Sequence, residues 1–433
     1  MNRFLLLILF FFLTNCSLDT KSGIWTKDKE IETDKSINIK KLFEKQKVLD
    51  NELNSKLKIN IQGRATENSF VNNLTNNNGR IKYNGNLKNI SKFKFSKIKN
   101  FNEFDSSIIF EKDNIIFFNK NGSILKFDSS SKLVWKINNY TKRERKQKPV
   151  LLLARNKNML IVADNIGKYY AIDIVSGKLL WTKNNSSPFN SQIKTYKNKF
   201  FVIDFENILR SYSVKDGSQI WKVKTEESFI KSQKKLSFVI MNNNIYFNNS
   251  IGDISAINID SGDLLWQISP QKDLIYQETF FLKTSDLVGI NNNILFSNEN
   301  NNFYSIDTNT GTLNWKQKIN SSLRSTVVND IIFSITMEGY LVLTDLETGS
   351  IIRVSDIFNI FSERQQKKIE PIGFIVGLKN IYLTTNNGRL IIMEIKTGKV
   401  QSVLKVDRGK ISRPFIHNEN LYIIKDNSII KLN

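Results

Sequence analysis

Gly167-Lys168-Tyr169-Tyr170-Ala171-Ile172-Asp173, followed by Ser176-Gly177-Lys178-Leu179-Leu180-Trp181, returns as Gly252-Asp253-Ile254-Ser255-Ala256-Ile257-Asn258 with Ser261-Gly262-Asp263-Leu264-Leu265-Trp266. Weaker copies begin at Gly122, Asn207, Asn301, Gly339, Gly388 and Asn427, so successive starts lie 45, 40, 45, 49, 38, 49 and 39 residues apart. A period near 40–45 residues made of short strands is that of propeller blades, each of which buries its faces only against its neighbours. The opening Gly or Asn suits a left-handed turn residue, and the alternation after it places one side-chain set on each face of a strand. Asp173, Asn258, Asp307 and Asp345 stand where a side-chain oxygen can cap the next turn. Gly177, Gly217, Gly262, Gly311, Gly349 and Gly398 each follow their repeat start by ten residues. Trp135, Trp181, Trp221, Trp266 and Trp315 close the outer strand; Arg353 and Ser402 hold that place in the sixth and seventh copies, which must therefore pack differently.

The fold expected is all-β, an eight-bladed β-propeller with four-stranded antiparallel blades over residues 81–433. The eighth copy stops at Asn433, before its outermost strand. An open blade would expose an unpaired edge. Lys92-Phe93-Lys94-Phe95-Ser96-Lys97-Ile98 alternates like a strand just before the first blade, and is expected to complete the eighth blade from the N-terminal side. Phe93 or Phe95 would then replace the missing tryptophan.

Arg3 precedes an apolar run from Phe4 to Leu13, and Cys16 stands where that run ends. The run is too short to span a bilayer and fits a signal peptide over residues 1–15. Leu13-Thr14-Asn15-Cys16 resembles the lipobox of bacterial lipoproteins, which implies lipidation of Cys16; an ordinary cleaved signal with an incidental cysteine is the alternative. Ser17, rather than an Asp, follows the cysteine, which in lipoproteins of this kind points to the outer membrane. Residues 16–80 read as the lipidated cysteine and a tether. Within it Leu42, Phe43, Leu49, Leu53 and Leu57 can line a short helix across 37–57, either a docking helix or a solvated spacer. Asn76-Asn77-Asn78-Gly79 marks a turn-rich boundary.

The chain has 63 Lys and Arg against 41 Asp and Glu, a net charge of +22. The cations are spread over the strands and loops, with no basic stripe interleaved with aromatics, so nucleic acid is not an expected partner. One Cys and one His exclude the usual metal-ligand spacings and leave no Ser/His/Asp constellation. His417 reads as a structural residue, the scattered acids as turn caps, and no Gly-rich phosphate loop precedes a helix. No catalytic residue, metal or cofactor is expected.

The blade pattern resembles the pyrroloquinoline-quinone-type propeller repeat. WD40 is a poorer match, because Lys136, Thr182, Lys222, Gln267 and Lys316 follow the tryptophans where that family has Asp. With the lipid signal, the eight blades and the closing strand, the chain resembles the BamB family of scaffold lipoproteins. That resemblance implies a non-catalytic periplasmic scaffold of the outer-membrane β-barrel assembly machinery, held to the outer membrane by its lipid. It also implies binding to a BamA-type subunit, with unfolded outer-membrane proteins as further partners. Family binding residues lie on loops between the third, fourth and fifth blades. The first carries a Leu-Arg pair, where Phe229-Ile230-Lys231 stands here, and Lys lacks the planar fork of Arg. The second carries acidic residues, matched by Asp286 in Thr284-Ser285-Asp286. A lipid-anchored quinoprotein-like propeller enzyme and an envelope adaptor with another partner are the alternatives.

Overall fold

The computed structural model describes residue 49 and residues 51–69, 73–98, 108–226, 235–269, 284–297 and 301–433. The strands form eight four-stranded sheets. Blades 1 to 7 occupy residues 109–137, 151–184, 194–224, 238–268, 288–317, 326–356 and 371–405, each a meander paired in sequence order. Blade 8 takes three strands from residues 415–432 and its outermost strand, Asn89–Lys94, from the other end of the propeller sequence. Phe93 pairs with Ile429 and Lys94 with Ser428, antiparallel. The closing strand expected at 92–98 therefore exists but runs over Asn89–Lys94, starting three residues earlier and ending four residues earlier. Phe93 is fully buried and meets Phe127 of blade 1 edge-on, with ring centroids 5.9 Å apart, so it seals the seam between the ends of the ring.

The second and third strands of each blade are almost wholly buried, because every face of a blade lies against a neighbour. In blade 2, for example, Leu160, Ile161, Val162 and Ala163 are all 0% exposed. The two turns of the repeat hold the conformations their residues suit. Gly122, Gly167, Asn207, Gly252, Asn301, Gly339 and Gly388 all have positive φ. Asp307 Oδ1 accepts from the amides of Asn309 and Thr310, both at 2.9 Å, and Asp345 Oδ1 accepts from Glu347 and Thr348 at 3.1 and 2.8 Å. Those bonds favour the ionised acid and hold both carboxyls below the usual range, against the opposing effect of burial.

Each of the five blade tryptophans packs on the glycine of the following blade, and its indole N–H finds a carbonyl there. Trp181 donates to Val214 O at 3.0 Å, Trp221 to Ile259 O at 3.2 Å, Trp266 to Thr308 O at 3.0 Å and Trp315 to Leu346 O at 3.0 Å. A Cβ built on Gly217 would lie 2.6 Å from the Trp181 ring, and one on Gly349 only 2.5 Å from Trp315. The glycine is thus required twice, for a φ near +70° and for the ring's approach.

A β-bulge precedes the tryptophan place in every blade from 1 to 7. Trp181 pairs with Ala171 while Leu179 pairs with Ile172, which leaves Leu180 as the extra residue. The same shift occurs between Lys126 and Phe127, Ser211 and Tyr212, Ala256 and Ile257, Ser305 and Ile306, Leu343 and Thr344, and Ile392 and Met393. A bulge bends the outer strand and interrupts the edge that would otherwise template aggregation.

Candidate functional site: the axis of the ring

The first strand of each blade is the innermost: where inner strands of neighbouring blades touch, as 109–111, 151–156 and 194–196 do, they do so around the ring axis. Their inward edges carry backbone groups that the blade itself does not pair. Residues 66–83 supply partners for five blades in succession. Ile240 N of blade 4 donates to Leu74 O at 2.8 Å, and Gly289 N of blade 5 to Thr75 O at 2.8 Å. Asn77 Nδ2 donates to Val327 O of blade 6 at 3.2 Å, while Val327 N donates back to Asn77 Oδ1 at 3.0 Å. Ile81 N donates to Val376 O of blade 7 at 2.8 Å, and Ser69 N to Ile416 O of blade 8 at 2.9 Å. A segment whose described residues bond to five inner strands runs along the axis of the ring, with Asn76 buried there.

Segment 16–80 was expected to be a tether; from residue 51 onward its described part is bound to the propeller instead. Leu53 bridges Val354 on the outer strand of blade 6, with bonds of 3.2 and 3.0 Å. Ile59 N donates to Lys396 O of blade 7 at 2.9 Å, and its side chain joins the cluster between blades 6 and 7. Beyond the axis, Ile81 and Tyr83 are 0% and 2% exposed in the cluster between blades 7 and 8, where Tyr83 meets Tyr382 edge-on at 5.0 Å. An Asn-rich stretch with few apolar residues gives no periodicity to read, because its hold on the ring is mostly backbone pairing. The one sequence signal of it was Arg353 in a tryptophan place.

Polar side chains from opposite sides of the ring converge on this axial segment. Asn76 is 2% exposed, with φ +61°, a conformation Asn tolerates. Its Nδ2 lies 2.9 Å from Leu287 O and 3.1 Å from Gln192 Oε1, and its Oδ1 accepts from Lys194 Nζ at 2.6 Å. Lys194 also donates to Asn73 O and Leu74 O. Burial pushes the Lys194 ammonium down to about 7; Asp286 opposes that shift, while Arg413 and Lys235 add to it.

Asp286 is therefore no freely solvated loop acid. Its Oδ2 accepts from Gln192 Nε2 at 3.0 Å and pairs with Arg324 at 3.2 Å and Arg413 at 3.9 Å. One carboxylate thus ties together residues of blades 3, 5, 6 and 8 at one mouth of the axis. Arg324 also donates to Asn76 O at 3.3 Å. Phe229, Ile230, Lys231 and Cys16 lie outside the described residues. His417 stacks on Phe110 at 4.3 Å, and burial lowers its pKa, which favours the neutral ring. Among the described residues no group of three His, Cys, Asp or Glu could hold a metal, and no helix is long and apolar enough to cross a membrane.

Eight blades, the first five each sealed by a tryptophan on the next blade's glycine, and a closing strand from the N-terminal side define an eight-bladed propeller of the pyrroloquinoline-quinone repeat type. Within that class the chain belongs to one family: the model described as outer membrane protein assembly factor BamB matches residues 100–355, more than half of the chain. Among solved structures it is similar to BamB from Moraxella catarrhalis, at TM-score 0.65 and 13% identity, covering 80% of this chain and 99% of that one. It is also similar to quinohemoprotein alcohol dehydrogenase from Comamonas testosteroni, at TM-score 0.61 and 11% identity, covering 82% and 78% respectively. The computationally designed Ika8 protein follows at TM-score 0.59 and 11% identity, covering 78% and 99%. At these identities the structural likeness is one of fold. No curated protein sequence matches the chain.

Proposed function

We propose that the chain is a non-catalytic scaffold lipoprotein of outer-membrane protein assembly. In this reading Cys16 carries the lipid, the propeller sits on the periplasmic side of the outer membrane, and a BamA-type subunit is its partner. The observation that carries the reading is the family match over residues 100–355. The pairing of the inner strands with the chain's own N-terminal segment supports a binding role over an enzymatic one. A concave site is what a small-molecule ligand requires, and here the backbone groups of five inner strands are already bonded to residues between 69 and 81 of the same chain.

The partner contact is assigned to the loop joining blades 3 and 4, which carries Phe229, Ile230 and Lys231. Asp286 shapes the neighbouring mouth of the axis through its pairs with Arg324 and Arg413 rather than offering a free charge. Interface energy concentrates in a few residues, so one apolar-to-acid change and one charge reversal in that loop are a decisive test. Affinity capture from solubilised membranes with Ile230→Asp/Lys231→Glu is expected to lose the BamA-type subunit, with the melting transition unchanged. Undiminished capture by the folded double variant removes this loop from the interface.

A further inference from the structure

The residue after the tryptophan place lies on the free edge of each outer strand, and blades 1 to 5 put a polar side chain there: Lys136, Thr182, Lys222, Gln267 and Lys316. Polar edge residues, Lys above all, discourage pairing with another strand. The outer strand of blade 8 carries Lys92 and Lys94 on either side of buried Phe93. Blades 6 and 7 depart from the pattern, with Val354 and Val403.

Their surroundings differ. Val354 is 1% exposed in the cluster between blades 5 and 6, and Leu53 pairs with it through both backbone bonds, Leu53 N to Val354 O and Val354 N to Leu53 O. Val403 holds the equivalent register, since Ser402 pairs with Ile392 as Arg353 pairs with Leu343, just past the same bulge. It is 39% exposed, on an outer strand whose residues from Gln401 to Val403 are all exposed. Blade 6 thus shows that this edge accepts an antiparallel backbone partner, here a single bridge with apolar Leu53 opposite the valine before the chain turns at Asn54.

The charge around Val403 narrows the occupant. Lys405 lies two residues along the same face and pairs in register with Arg389, and Arg408 follows shortly after. Arg389 and Arg408 both act, after burial, to lower the Lys405 pKa, as crowded cations do. The nearby Asp407 is bonded to Lys425 at 2.7 Å. A carboxylate two residues from the apolar position of an incoming strand would meet this cationic group.

We propose that the outer edge of blade 7, at Ser402-Val403-Leu404-Lys405, is a strand-addition site for an extended segment of another protein, apolar at alternate positions and acidic beside Lys405. Main-chain bonds give such a mode its affinity, and alternate side chains give its selectivity. The inference stands apart from the barrel-assembly reading, since it rests on this edge alone.

The test uses the chain without its signal and a fluorescein-labelled ten-residue peptide that alternates Thr with Val and carries two Glu. Saturable binding is expected, with slowed hydrogen exchange at the Val403 amide. Val403→Lys, which restores the polar pattern of the other blades, is expected to weaken binding about tenfold or more, whereas Thr182→Lys at the same place in blade 2 leaves it unchanged. Absence of saturable binding, or equal affinity in Val403→Lys, overturns the proposal. So does self-association of the chain that Val403→Lys dissolves, which assigns the edge to a second copy.

Discussion

Trp315 and Arg353 occupy the same place in consecutive blades and seal consecutive seams by different means. Trp315 lays its ring on Gly349 and gives its single N–H to Leu346 O. Arg353, fully buried, sends Nη2 to Ile395 O at 3.0 Å, the carbonyl that an indole would reach from this place. A guanidinium has further donors to satisfy, however, and a flat ring's worth of volume to leave empty. Its Nη1 donates to Lys396 O at 2.7 Å and to Leu57 O at 3.1 Å, and Leu57 belongs to the N-terminal segment. At the first seam the ring contact and the hydrogen bond lie within the repeat, and Leu49 only packs against the same cluster. The second is complete only when residues outside the repeat arrive.

Removal of that segment is the strongest way to break the comparison. A chain beginning at residue 84 loses the burial of Ile59, Ile81 and Tyr83 as well as the axial pairing. At roughly 1.5–3 kcal/mol for each large side chain, it is expected to be less stable by about 5 kcal/mol or more in urea unfolding. A chain beginning at residue 49 keeps all of these contacts and serves as the reference. Equal midpoints for the two would mean that residues 49–83 contribute nothing to the ring.

Side-chain truncation at the two seams is the next test. Trp315→Ala is expected to cost about 3 kcal/mol, nearly the same with or without the segment, since its glycine contact and hydrogen bond lie within the repeat. Arg353→Ala is expected to cost about 2–3 kcal/mol in the full chain, where it removes three hydrogen bonds, Lys396 O alone keeping a second donor in Ile59 N. In the chain beginning at residue 84 its cost is expected to fall by about 1 kcal/mol, because Leu57 O is already absent. A double-mutant cycle without such coupling would separate Arg353 from the segment.

The smallest effect lies at the other end of the segment, where Lys194 holds Asn76. Its pKa in the folded chain, about 7, is below its ordinary value, so between pH 7 and the unfolded value near 10.5 the unfolded state binds more protons. Stability contributed at this site therefore rises with pH through that window, and is at its lowest below the folded pKa. Relative to Lys194→Gln, the wild type is expected to gain about 1 kcal/mol between pH 7 and 8, measured by denaturant unfolding in matched buffers. A difference between the two proteins that does not change with pH would show that Lys194 stays charged throughout.

The parts of the molecule that could be read in advance are those that the repeat writes several times. Gly177 and Trp135, or Gly217 and Trp181, stand in contact because every blade must face the next, so spacing along the chain implies a pairing in space. The closing strand was legible for the same reason, as an unpaired edge requires a partner and 92–98 alternates; its true start at Asn89 depends on Lys88 and Asn433, whose backbones bond to each other. The role of Asp286 was not legible. Thr284-Ser285-Asp286 reads as a polar loop, and only the ring brings Gln192, Arg324 and Arg413, each from a different blade, to the same carboxylate.

Sequence alone determined the number of blades, the chemistry of their turns, the tryptophan–glycine seams and the site of closure. These are consequences of local hydrophobic alternation, of backbone conformations that Gly and Asn accept, and of a period repeated often enough to average out its exceptions. Tertiary structure alone decided that residues 51–83 belong to the ring. Their binding rests on backbone groups, which every residue carries and no composition reveals, and on the inward edges of five strands that exist only once the ring has closed.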